Sequence, residues 1–265
     1  MIRMQESAQQ KIKQFTKDNF YVVTDFDRTL TKGNSMTSWS ILSECKLLPR
    51  EYAQDRQRLY DYYRPIEIDD TLEESVKCEE MKKWYEKHID LFTKYELKED
   101  LVKKAASNHR IMEFRIGAEE FLSYLQQNSI PAIIISAGIG NFIEQFLMDN
   151  KCNYDNIYIS SNCIHFTNGV ADGMEGNLIH SLNKNEVSLP KTIQKTIAKR
   201  PYTLLLGDTI EDTRMVPKSK KNTTLYVGFL PEDQKESKTQ YEQAFDLVCE
   251  KDTSYLEIMK LLNFN

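Results

Sequence analysis

Five short apolar runs recur along the chain, and each is continuous rather than alternating with polar residues. They are rich in β-branched and aromatic side chains, as in "FYVVTD" and "IPAIIIS". Runs of this kind are typical of strands that are buried on both faces of a parallel sheet. The pattern therefore predicts strands at residues 20–25, 130–136, 156–160, 202–208 and 223–229.

Between these runs, the apolar positions follow a helical period. In residues 117–128 they fall at i, i+3, i+4 and i+7, which places them on one face of a helix, and residues 139–149 repeat this spacing. The alternation of strands and helices predicts an α/β fold with a doubly wound, Rossmann-like parallel sheet. In such sheets, ligands bind at the carboxyl ends of the strands.

The stretch from about residue 35 to residue 112 interrupts the alternation, because it holds several charged helical segments and no convincing strand. We interpret it as a helical cap inserted after the first predicted strand. The predicted domains are an α/β core of residues 1–32 and 114–265 and a cap of residues 33–113. We expect such a cap to open and close about its two connections to the core.

Two smaller patterns complete the predicted fold. Within the cap, one helix face carries a stripe that is typical of the core of a small helical bundle; its members are Met81, Trp84, Tyr85 and His88. Residues 163–177, "CIHFTNGVADGMEGN", predict a β-hairpin with its turn at Asn168-Gly169.

Composition narrows the class of protein. The 265 residues are 40% apolar with a net charge of −5, which is typical of a globular chain and argues against binding to a nucleic-acid polymer. No apolar run approaches the roughly 18–20 residues that span a bilayer, so no membrane partner is expected. The first 15 residues predict an amphipathic helix and not a signal peptide. Five scattered cysteines without C-x-x-C spacing favour a reducing compartment, the cytoplasm.

The first predicted strand ends in an unusual acidic pair, Asp25 and Asp27, followed by Thr29. Two carboxylates this close repel each other, so the arrangement needs a neutralising group. A calcium loop is excluded, because Leu30 and Met36 stand where such a loop needs glycine and glutamate. A turn with capping side chains and a metal-assisted nucleophile both remain compatible with this segment alone.

Two further strand ends favour the second of these interpretations. Ser136 ends the second run and is followed by Gly138 and Gly140 at the predicted start of a helix, which is the makeup of a phosphate-binding loop. Asp208 ends a later run, with Asp212 four residues on. On a parallel sheet these strand ends meet at one edge, and their joint occurrence by chance is improbable.

The segments "DFDRTLT", "IIISAGIG" and "LLLGDTIEDTRM" resemble the motifs of the haloacid dehalogenase superfamily of phosphohydrolases. More narrowly, "YYRPIEIDDTL", "MKKWYEKH", "SAGIG" and "LIHSLNKN" resemble the cytosolic pyrimidine 5′-nucleotidase family in order and spacing. The likeness spans essentially the whole chain. The segment "KGNSMTSWS" departs from the family pattern.

The resemblance implies a reaction. Asp25 would attack phosphorus and form an aspartyl-phosphate, and Asp27 would protonate the departing oxygen and then activate water. Mg²⁺ is the implied cofactor, since hard oxygen ligands and a phosphate substrate favour it. Its expected ligands are Asp25, Asp208 and Asp27, the last through its main-chain carbonyl. Asp212 would orient a ligand, while Thr29 would either stabilise the turn or contact the site.

The resemblance also implies the substrate contacts. Ser136 and the Ala137 backbone would hold phosphate oxygens, with Lys184 pairing with the phosphate. Glu67 and His88 in the cap are the further expected contacts, with Glu67 reading the nucleotide base. The expected function is Mg²⁺-dependent hydrolysis of nucleoside 5′-monophosphates, with pyrimidines favoured and no partner beyond this small phosphomonoester. A phosphatase of another phosphomonoester, such as phosphoserine, and a non-catalytic module of the same fold remain alternatives.

Overall fold

The computed structural model describes residues 2–69, 71–108, 111–185, 189–231, 238–250 and 253–264. Its strands are β1 Ile2–Met4, β2 Phe20–Thr24, β3 Ala132–Ile139, β4 Ile157–Thr167, β5 Val170–Glu175, β6 Tyr202–Gly207, β7 Thr224–Leu230 and β8 Leu247–Glu250. Its α-helices are α1 Glu6–Ile12, α2 Ser38–Glu44, α3 Arg50–Ile68, α4 Glu74–Lys94, α5 Glu99–Ala106, α6 Ala118–Gln127, α7 Gly140–Asp149, α8 Lys191–Ile197, α9 Lys238–Ala244 and α10 Tyr255–Leu261. Two 3₁₀-helices, Ile210–Met215 and Lys218–Thr223, follow β6.

The strands form one mixed sheet in the order β1-β8-β7-β6-β2-β3-β4-β5. All neighbouring pairs from β8 to β4 are parallel, and the two outer pairs, β1 with β8 and β4 with β5, are antiparallel. The central strand β2 lies between β6 and β3, so the carboxyl ends of these three strands meet at one edge. The predicted α/β fold with a mostly parallel sheet is confirmed.

All five predicted strands are present, as β2, β3, β4, β6 and β7. The hairpin is also present, with Asn168 and Gly169 both at positive φ (52° and 78°), as a tight hairpin turn requires. Sequence reasoning missed β1 and β8, because three- and four-residue strands carry too short an apolar run to be recognised. The predicted first helix is correspondingly shorter and begins only at Glu6.

Helices α2 to α5 form the inserted segment between β2 and α6, as expected from the absence of strands there. Its two connections to the core lie side by side. Thr31 and Phe114 form an isolated antiparallel bridge, and the Lys32 amide donates to the Glu113 carbonyl (2.9 Å). The position of the domain boundaries and the motion about these connections stay predictions.

The inserted segment packs closely against the rest of the protein. One continuous apolar core contains Phe92 and Val102 from the cap together with Phe26, in the turn after β2, and Phe146, in α7. The cap also bonds to the β4–β5 hairpin, since the Glu99 amide donates to the Gly169 carbonyl (3.0 Å). Any opening of the cap therefore has to disturb these contacts.

None of the described helices is both long and apolar enough to cross a bilayer. The five cysteines are free thiols. Of the histidines, His165 is exposed beside Asp172, His180 is buried in a loop, and His109 lies outside the described residues.

We predict that the Phe146 ring contributes strongly to the stability of this shared core. Its ring meets Phe26, between the two strand-end aspartates, at 5.6 Å, and Phe114, in the second cap connection, at 4.7 Å. Phe146→Ala should therefore lower the free energy of unfolding by about 3–5 kcal/mol, measured by urea denaturation. Met148→Ala on the same helix is the control, because Met148 is 52% exposed and should change stability by less than about 0.5 kcal/mol.

Candidate active site

The turn after β2 presents two acidic side chains in different surroundings. Asp25 is 3% exposed, whereas Asp27 is partly exposed. The turn brings Arg28 to a positive φ of 61°, and the Arg28 amide donates to the Thr31 hydroxyl (2.7 Å). Of the two roles expected for Thr29, the turn-stabilising hydroxyl is thus supplied by Thr31, and a contact of Thr29 with the site stays a prediction. The Thr29 hydroxyl is buried and has no hydrogen-bond partner among the described residues.

The end of β6 places Asp208 and Asp212 beside this turn. Asp212 lies in the 3₁₀-helix Ile210–Met215, where one carboxyl oxygen accepts the amides of Asp208 (3.1 Å) and Thr209 (3.0 Å). Gly207 permits this approach, since a Cβ at that position would clash with the Asp212 side chain. Asp212 is completely buried and Asp208 is 8% exposed.

Lys184 reaches this acidic group from the loop after the hairpin. Its ammonium donates to Asp25 Oδ1 at 2.6 Å and to Asp212 Oδ1 at 3.0 Å, and the residue is only 8% exposed. The loop is fixed by Asn162, whose amide nitrogen donates to the carbonyls of Ile179 (2.7 Å) and Ala137 (2.9 Å). Asn162 therefore joins the lysine loop to the end of β3.

The last residues of β3, where its pairing with β4 is irregular after Ile135, lie at the same edge of the sheet as Asp25. Ser136 is 1% exposed, and its hydroxyl accepts the Gly138 amide (3.0 Å). The Ala137 carbonyl accepts the indole N–H of Trp39, in α2, at 2.9 Å. The structure thus brings Ser136, Ala137 and Lys184 to the strand-end aspartates, as the sequence predicted for their positions; their roles stay predictions.

Sequence reasoning missed one contact of Asp27. The Ser38 amide, at the start of α2, lies 3.1 and 3.2 Å from the two Asp27 carboxyl oxygens, and the Ser38 hydroxyl donates to Oδ2 at 3.0 Å. A serine that starts a helix is a recognisable sequence signal, but its partner eleven residues earlier is not. Ser38 lies in the hydrophilic segment "KGNSMTSWS".

Burial and mutual repulsion dominate the electrostatics of the site. Burial raises the pKa of Asp25 well above its usual value, with Lys184 opposing this shift and the neighbouring carboxylates adding to it. Burial and Asp212 raise the pKa of Asp208 to about 7, and burial raises that of Asp27 to about 6 against the hydrogen bonds from Ser38. For Lys184, burial lowers the pKa, but Asp212 and Asp25 outweigh it and keep the ammonium charged.

The acidic group has the donor set of a hard cation. One carboxyl oxygen from each of Asp25, Asp208 and Asp212 lies within 4.8 Å of the others, and all three residues are buried. The Lys184 ammonium supplies one positive charge against three carboxylates, so a divalent cation suits the remaining negative charge. Oxygen-only donors favour Mg²⁺ or Ca²⁺ over zinc or copper. The residues present therefore fit a divalent cation bound by oxygen.

Glu67 occupies the last turn of α3. Its carboxyl group pairs with Arg64 on the same helix and accepts the hydroxyl of Ser181 (2.7 Å), from the loop that carries Lys184. Glu67 is therefore placed near the site, and in this structure it also joins the cap to the core.

His88 packs against two aromatic side chains of the cap. Its ring is 4.8 Å from that of Trp39 and 6.1 Å from that of Trp84, and burial lowers its pKa to about 3, so it is neutral. The predicted stripe of Met81, Trp84, Tyr85 and His88 is buried. Met81, Trp84 and Tyr85 form an apolar cluster with Tyr63, against which Ala137, Leu178 and Leu182 pack. This cluster, which we call the aromatic wall, faces the site loops.

We predict that Lys184 is essential to the stability of the acidic group. Lys184→Met keeps the length of the side chain but leaves the buried carboxylates of Asp25 and Asp212 without their counter-charge. The free energy of unfolding in metal-free buffer should fall by about 3–5 kcal/mol, as measured by urea denaturation. The exposed Lys195 is the control, since Lys195→Met should change stability by less than about 0.5 kcal/mol. Equal stability of the two variants would contradict the prediction.

Comparison with known proteins assigns the chain to a family. Residues 23–264 match the pyrimidine 5′-nucleotidase (UMPH-1) family. A Drosophila melanogaster 7-methylguanosine phosphate-specific 5′-nucleotidase is 30% identical over 246 residues, covering 89% of this chain and 76% of that protein. The crystal structure of cytosolic 5′-nucleotidase IIIB bound to cytidine has 28% identity and a TM-score of 0.87, covering 99% of this chain and 93% of that one.

A more distant likeness concerns the fold alone. A substrate-bound phosphoserine phosphatase superposes with a TM-score of 0.61 at 18% identity, covering 93% of this chain and 99% of that one. The shared sheet and inserted helices agree with the haloacid dehalogenase-like architecture expected from the sequence. The match over nearly the whole chain shows that the protein belongs to the pyrimidine 5′-nucleotidase (UMPH-1) family of phosphoric monoester hydrolases.

Proposed function

We propose that the protein is a Mg²⁺-dependent 5′-nucleotidase that converts nucleoside 5′-monophosphates, pyrimidine nucleotides above all, to nucleoside and phosphate. The observation that carries this proposal is the buried group at the strand ends. Asp25, Asp208 and Asp212 converge there with Lys184, at the edge of the sheet where β3 carries Ser136. Such an arrangement of carboxylates around one lysine is suited to binding a phosphate dianion only when further positive charge is present.

Asp25 is the proposed nucleophile. Lys184 holds Oδ1 of its carboxyl group, so Oδ2 is the oxygen that forms a bond to phosphorus while the bond from phosphorus to the 5′ oxygen breaks. Asp27 donates a proton to that departing oxygen. Water then attacks phosphorus in the aspartyl-phosphate and gives a proton to Asp27. The bond between phosphorus and the Asp25 oxygen breaks, so phosphate is released and both carboxyl groups return to their starting states.

Asp25, Asp208 and the main-chain carbonyl of Asp27 are the proposed ligands of Mg²⁺, with Asp212 orienting the group. When bound, the ion supplies positive charge that offsets the carboxylates and the phosphate oxygens. Lys184 contributes a second fixed positive charge, and the Ser136 hydroxyl with the Ala137 backbone binds phosphate oxygens. Asp212 keeps Lys184 in place through its 3.0 Å bond.

The aromatic wall and Glu67 are the proposed site of the nucleoside. An ionised carboxylate only accepts hydrogen bonds, so Glu67 suits a base that presents an amino group, such as cytosine. The structurally similar nucleotidase bound to cytidine supports this choice. His88 packs against Trp84 of the aromatic wall and would support the rings around the base.

7-Methylguanosine 5′-monophosphate is the second candidate substrate. Its methylated base is cationic and also presents an amino group, and a cation is attracted to the faces of rings such as Trp84 and Tyr85. The Drosophila relative, named for its action on 7-methylguanosine phosphate, supports including it. The cytosolic relatives likewise support a cytoplasmic location for this protein.

The decisive experiment measures phosphate release from a panel of monophosphates with and without Mg²⁺. The panel contains cytidine, uridine, guanosine and 7-methylguanosine 5′-monophosphates and phosphoserine. We expect Mg²⁺-dependent turnover that is fastest with cytidine 5′-monophosphate and lost in Asp25→Asn. Preference for phosphoserine, or turnover by a folded Asp25→Asn protein, would overturn the proposal.

We predict that the carboxylates separate into two classes in a Mg²⁺ titration. Asp208→Asn should weaken Mg²⁺ binding by at least about 10-fold, because it removes a charged ligand. Asp27→Asn should leave Mg²⁺ affinity nearly unchanged, since its ligand is a backbone carbonyl, yet lower kcat by about 100- to 10,000-fold. Isothermal titration and steady-state kinetics on the same samples measure both quantities, and the reverse pattern would refute the assignment.

We predict that Glu67 reads the base. Glu67→Ala should lower kcat/KM for cytidine 5′-monophosphate by about 10- to 150-fold, the effect of losing a hydrogen bond to a charged group. Hydrolysis of p-nitrophenyl phosphate, which has no base, should hardly change.

Because Glu67 also accepts the Ser181 hydroxyl, Ser181→Ala is the matched control. That variant removes the contact between cap and core but leaves the carboxylate. If Ser181→Ala reproduced the loss, or if Glu67→Ala impaired both substrates equally, Glu67 would serve docking of the cap and not recognition of the base.

A further inference from the structure

Ser38 combines complete burial with an unusual set of bonds at the site. Its hydroxyl oxygen accepts the Ile139 amide, from the end of β3, at 3.0 Å. The same hydroxyl lies 3.0 Å from Asp27 Oδ2. An amide can only donate, so the hydroxyl oxygen is the acceptor in the first bond, and its own hydrogen is left to donate to Asp27.

Gly138 makes this arrangement possible. A Cβ at Gly138 would clash with the Ser38 hydroxyl and would lie 3.0 Å from Asp27 Oδ2. The absence of a side chain there gives the serine its access to the carboxyl group. Three elements, the turn after β2, the end of β3 and the start of α2, therefore meet at the Ser38 hydroxyl.

We propose that Ser38 is a positioning residue that holds the Asp27 carboxyl group in the orientation for proton transfer. The backbone N–H of Ser38 lies within reach of both oxygens and restrains rotation of the group. The proposal rests on the proposed function of Asp27 as the acid and base of a phosphohydrolase.

The dependence of the rate on the leaving group distinguishes a positioning role from a purely structural one. A structural defect would slow the release of every leaving group alike. A nucleoside leaves as a basic alkoxide and needs a proton as its bond to phosphorus breaks, whereas p-nitrophenolate is a stable anion that leaves without one. Loss of the correct Asp27 orientation should slow the first reaction and spare the second.

The test is a single-turnover experiment with enzyme in excess, which observes release of the leaving group before water attacks. Ser38→Ala should slow nucleoside release from cytidine 5′-monophosphate by about 10- to 100-fold, as expected for a lost bond to a charged group, and p-nitrophenolate release by less than about 2-fold. Ser43→Ala, on the same helix, is the matched control, because the buried Ser43 hydroxyl has no hydrogen-bond partner among the described residues. It should behave like the wild type.

Equal slowing with both substrates, or no slowing at all, would overturn the proposal. If Ser38→Ala fails to fold, Ser38→Cys gives the same comparison, since it keeps the size of the side chain and replaces the hydroxyl with a weak donor. Failure of the proposed function is visible separately. In that case the wild type itself releases no nucleoside, and the inference falls with it before any variant is compared.

Discussion

The ammonium group of Lys184, buried between Asp25 and Asp212, is the interaction on which the site depends. Carboxylates that are taken out of water without a counter-charge carry a penalty of several kcal/mol each. Here the counter-charge comes from a loop 159 residues after Asp25, so the buried carboxylates are compensated only when that loop has packed against the strand ends. The Asn162 side chain bonds the lysine loop to Ala137 and so helps to hold Lys184 in this position.

The cap reaches the same site through polar contacts of its own. Ser38 bonds Asp27, Trp39 bonds the Ala137 carbonyl, and Glu67 bonds Ser181. Its helices also share an apolar core with the sheet, so the position of the cap and the geometry of the site are set together. The predicted opening of the cap would have to break these contacts, and it would then couple entry of the substrate to the arrangement of Asp27.

Close backbone approach is a second constraint at the strand ends. Gly207 leaves room for the Asp212 carboxyl group, and Gly138 leaves room for the Ser38 hydroxyl. In both places, a methyl group would occupy the space of a polar side chain that the site uses. The geometry of the site therefore depends on the absence of a side chain at Gly207 and Gly138.

The family resemblance pointed to Lys184. The sequence by itself determined five strands of the sheet, the β4–β5 hairpin, the inserted helical segment, and the acidic and serine positions that meet at one edge. These are local signals: an apolar run, a helical period, or a short polar motif at the end of a strand. Only the tertiary structure decided that Thr31 stabilises the turn instead of Thr29, and that Glu67 ends a helix and contacts Ser181. It alone paired Ser38 with Asp27 and brought Asp212 into direct contact with Lys184. Such pairings join side chains that are distant in the chain, and no residue pattern records which partner burial will bring within hydrogen-bonding distance.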